Sequence, residues 1–119
     1  MGRTKRAVGL KQAPPAYQAF VRRFPDLGRA WELLSKGADA AGPLDARTQR
    51  LAKLALAIGS QQEGAVHSGV RKALAAGATP EELEQVVALA ASLIGLPATV
   101  AAFCWVREEV AKGGGNSAK

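Results

Sequence analysis

Reactive side chains are scarce in this chain of 119 residues, which holds one cysteine, one histidine and few aromatics. A single cysteine, Cys104, excludes an intramolecular disulfide, a CxxC redox pair and a multi-cysteine zinc centre within one chain. The shortage of aromatic residues and the abundance of alanine argue against a β-sandwich and for closely packed helices. No run of about 20 uncharged apolar residues is present, so no membrane-spanning helix is expected. The opening "MGRTKRAVGLK" is basic without a following signal-type apolar core, and a cytoplasmic protein is expected.

The net charge of +6 is concentrated where Arg3, Lys5, Arg6 and Lys11 stand with no acidic residue among them. Beyond this stretch the signs mix, as in "VREEVAK", and neither an aromatic-interleaved RNA motif nor a helix-turn-helix is legible. Specific nucleic-acid binding is therefore not expected. The length suits one domain, read here as residues 13–112, between a basic tail at 1–12 and a glycine-rich tail at 113–119, both expected to be disordered.

Start and stop signals divide the domain into helices. Pro14 and Pro15 open a short helix ending near Phe24. Pro25 opens a second that stops near Gly37, with Trp31 and Leu34 on its inner face. Asp45 caps a third that reaches about Gly59, with Leu51, Leu54, Ala55 and Ile58 at helical spacing. A fourth runs from about Gln62 to Ala76, where Gly77 can take the left-handed conformation that ends it. Thr79, Pro80 and Glu82 form the strongest start signal, a capping box with proline at the first helical position. The helix that follows carries Leu83, Val86, Val87, Ala90 and Ile94 inward. Its opposite face is also apolar, which predicts self-association. A last helix from Pro97 to about Lys112 aligns Phe103, Val106 and Val110.

This order of pieces, above all "VRKALAAGATPEELEQVVALA", resembles the carboxymuconolactone decarboxylase and alkyl hydroperoxidase D (AhpD-like) family over about residues 20 to 110. The resemblance implies an all-α AhpD-like subunit of about six helices that assembles as a trimer or hexamer. In redox members of that family the fourth helix carries Cys-x-x-Cys-x-x-x-His, and the corresponding positions here are Gln62, Ala65 and Gly69. The family's relay glutamate falls on Arg50. With no thiolate at these positions, thiol peroxidase activity is not expected. Cys104, in another helix between Phe103 and Trp105, reads as a small buried hydrophobe.

What remains is Glu63 and His67, spaced i and i+4 on one helical face. Two readings stay open. In the first, the protein is a decarboxylase-like enzyme acting without metal or organic cofactor on a small carboxylated lactone or related acid. His67 moves the proton, Glu63 orients it, and Arg50 and Gln62 hold the substrate. In the second, Glu63 and His67 are a surface or interface ion pair, and the protein is a noncatalytic scaffold or a small-ligand or protein-binding member.

Overall fold

A computed structural model of the chain describes residues 14–118, with side chains as far as 113. The basic tail expected at 1–12 lies outside the described residues. Those described form helices without a strand among them. They divide into two compact units, one up to Pro43 and one from Leu44 onward.

The first unit is a pair of helices, α1 (Pro15–Arg23) and α2 (Pro25–Asp39). Each begins on a proline whose fixed φ and missing N–H suit the first turn. Phe24 separates them and tilts its ring against Phe20, with the centroids 5.1 Å apart. Gly28 is the buried residue of α2 and lies against Val21 so closely that an added Cβ would come within 2.7 Å of Val21 Cγ1. The helix runs past Gly37 to Asp39. Trp31 and Leu34, expected on its inner face, are exposed. Among the described residues of this unit α2 meets α1 through Gly28, and no third helix among them covers its other apolar side chains.

The second unit packs α3 (Ala46–Gly59), α4 (Glu63–Ala75), α5 (Pro80–Ile94) and α6 (Leu96–Ala118) around one core. Leu54 and Ile58 come from α3, Val66, Val70 and Ala73 from α4, Leu83 and Val87 from α5, and Ala102 and Val106 from α6. Burying the leucine, isoleucine and valine side chains among them stabilises by roughly 1.5–3 kcal/mol each relative to exposure. Ala55, placed inward by its spacing, is exposed, because Leu54 and Ile58 set the buried line of α3.

The helix borders follow local chemistry. The Asp45 carboxylate accepts from the Thr48 N–H at 2.8 Å. Thr79 and Glu82 close a reciprocal capping box, and Glu82 also pairs with Arg47 of α3. Gly77, at φ 98°, ends the α4 turn, and Gly95, at φ 87°, joins α5 to α6. α3 and α4 approach closely at Gly69, where an added Cβ would stand 3.3 Å from Leu54 Cδ1. α6 is longer than the expected Pro97–Lys112 and takes in the segment expected as a tail as far as Ala118.

Candidate functional site

His67 sits one turn into α4, between the buried Val66 and Val70, with its side chain 18% exposed. Glu63, one turn earlier, reaches the ring as the spacing predicts, with Oε2 3.5 Å from Nε2. The shorter contact comes from α6, where Glu109 Oε1 lies 2.8 Å from Nδ1. Glu108, next to it, places Oε1 3.8 Å from Nε2. One imidazole thus meets three carboxylates, two of them from a helix more than 40 residues away in sequence.

Glu109 stands on the stripe that Ala102 and Val106 carry into the core, at i+7 and i+3, and its side chain is only 7% exposed. Burial by itself would raise its carboxyl, since a charge loses hydration there. The hydrogen bond from His67 and the charges of Lys112 and Arg71 outweigh this and hold the group below the usual glutamate value. Arg71 Nη1 approaches Oε2 at 3.5 Å and Lys112 Nζ approaches Oε1 at 3.6 Å. An ionised carboxylate can only accept, so His67 Nδ1 must donate. That fixes the ring and leaves Nε2 facing the partly open side that holds Glu63 and Glu108.

Sequence spacing found Glu63 and His67 and missed Glu109, the nearest partner, together with Glu108 and Arg71. One signal was available, a glutamate on the apolar stripe of α6, but its partner could be named only once α4 and α6 were packed together. Arg50 is half-buried on α3, and Gln62 is exposed at the start of α4 without a side-chain cap. Among the described residues neither is hydrogen-bonded or ion-paired to His67. Cys104, expected to be buried, is exposed, because Ala102 and Val106 take the inward positions of that turn.

The family model of the carboxymuconolactone decarboxylase family matches residues 25–108. The chain belongs to that family. The match covers α2 to α5 and most of the described part of α6, and it ends one residue before Glu109. No curated protein and no solved structure matches this carboxymuconolactone decarboxylase family member. No described helix is long and apolar enough to cross a membrane.

Proposed function

We propose that this family member moves protons at His67 in a decarboxylase-like reaction on a small carboxylated lactone or related acid. The carrying observation is the 2.8 Å contact between His67 Nδ1 and the buried Glu109, which sets the tautomer and turns Nε2 to the open side. Glu109 takes the orienting role first assigned to Glu63. Glu63 stays beside Nε2, where it can relay a proton. Arg50 and Gln62 are kept as candidate contacts for the acid and ring oxygens of the substrate. The chemistry proposed needs no thiolate, and thiol peroxidase turnover is expected to equal the buffer blank.

The test is turnover of a panel of carboxylated lactones and related acids, followed by loss of carbon dioxide. His67→Ala should lower the rate by about 10²-fold or more, the range for a removed general acid or base. Glu109→Gln should lower it with the oligomer intact. Full activity in His67→Ala would exclude the proton-transfer role.

A second reading is a noncatalytic oligomeric scaffold or binding member, favoured by the exposed Leu89 and Leu93 on α5 and Leu96 and Val100 on α6. Under either reading the chain is proposed to self-associate as a trimer or hexamer in the cytoplasm.

A further inference from the structure

Glu63 Oε2, His67 Nε2 and Glu108 Oε1 converge from α4 and α6, with the three atoms all within 4.8 Å of one another. All are electron-pair donors when the ring is neutral, because Nδ1 carries the hydrogen that Glu109 accepts. Three such atoms facing one point repel one another unless a cation lies between them. A proton on Nε2 can satisfy one carboxylate at a time. The two contacts, 3.5 and 3.8 Å, are longer than a good charge-assisted hydrogen bond of about 2.7–2.9 Å. They are close to the spacing of two ligands on one zinc ion, since bonds of about 2.0–2.2 Å set tetrahedral edges near 3.3–3.5 Å.

We infer that Glu63, His67 and Glu108 form a three-ligand site for a zinc-like divalent cation, with Glu109 as the positioning carboxylate behind the histidine. One imidazole nitrogen and two carboxylate oxygens are ligand types that zinc accepts, and three protein ligands is the number it takes when a fourth position is left to water. Glu109 supplies what a ligating histidine ordinarily has, an acceptor on its other nitrogen that fixes tautomer and ring angle. The negative charge of Glu109 is answered by Arg71 and Lys112, whereas Glu63 and Glu108 direct theirs to the side that Nε2 faces. Their side chains are 59% and 60% exposed, so an ion can enter from solvent and small rotations can close the 4.8 Å cluster to ligand distance. Sequence spacing pointed to no metal because α4 alone offers two ligands. The third arrives with α6. The site stands whether or not His67 transfers protons, and if it does, ion and proton compete for the same nitrogen.

The experiment is titration of the tag-free full chain with Co²⁺, read by its visible absorption, then displacement by Zn²⁺. One Co²⁺ per chain in a four- or five-coordinate spectrum, displaced by one Zn²⁺, is expected. Glu63→Gln and Glu108→Gln, both at exposed positions, should each weaken binding by tenfold or more, and His67→Gln should abolish it. In ¹⁵N spectra Zn²⁺ should move the His67 Nε2 resonance far more than Nδ1. Cys104→Ser should leave binding unchanged. Absence of stoichiometric binding would make the cluster an ion-pair network around an imidazolium and overturn the site. So would an affinity indifferent to either glutamate, or one lost with Cys104.

Discussion

Replacing His67 by alanine takes from Glu109 its shortest partner and leaves a buried carboxylate with only the longer contacts to Arg71 and Lys112. A destabilisation of about 1–3 kcal/mol is expected from an under-satisfied buried acceptor, measured as a shift in the urea midpoint at unchanged m-value. Removing Glu63 instead, at a largely exposed contact, should change stability by a few tenths of a kcal/mol. Asp45 offers a separate test by pH. The Thr48 backbone N–H, which donates to its carboxylate, holds Asp45 below the ordinary aspartate value. A group lowered on folding adds stability that is complete above its unfolded value, near pH ~4, and is lost as pH falls through the folded value. Asparagine caps a helix comparably without titrating. Asp45→Asn should therefore flatten part of the acid limb of the stability profile while leaving neutral-pH stability nearly unchanged. An unaltered acid limb would show that the cap does not titrate with folding. Glu109 contributes with the same sign in both proteins, so the comparison isolates Asp45.

At the scale of helices, two glycines of the same type predict opposite outcomes. Gly64, in the first turn of α4, has no atom within 4 Å of where a Cβ would stand. Gly64→Ala should raise stability by up to about 1 kcal/mol, from helix propensity and the lower entropy of the unfolded chain. Gly28 lies against Val21, whose branched side chain cannot yield without moving α1 from α2. Gly28→Ala should destabilise despite the same gain in propensity. Thermal unfolding of the two variants side by side checks both signs. Helix borders were largely legible beforehand, because the Asp45 cap, the Thr79–Glu82 box and the left-handed Gly77 each involve residues within a turn of one another. Faces were less legible. Ala55 and Cys104 fit a helical period but lie beside residues that take the inward place, and Trp31 and Leu34 stand on a helix that meets one other helix among the described residues of its unit.

At the scale of the whole molecule, many large apolar side chains of the described residues stay exposed in the two units. α5 sends Leu83 and Val87 into the core while Leu93, on another face, is 85% exposed. On the proposed self-association, Leu93→Asp should leave the fold unchanged and shift the light-scattering mass toward a monomer. A mass unchanged from the parent protein would place the interface elsewhere, and a monomeric parent would remove the proposal. The sequence by itself determined the all-helical class, most of the helix borders and the family, because periodicity, caps and left-handed glycines act over three or four residues. It also placed Glu63 beside His67, since one helical turn is enough for that. Only the tertiary structure decided which groups surround His67. Glu108 and Glu109 reach His67 across more than 40 residues, and a contact of that span depends on how α4 and α6 pack, which no local pattern encodes.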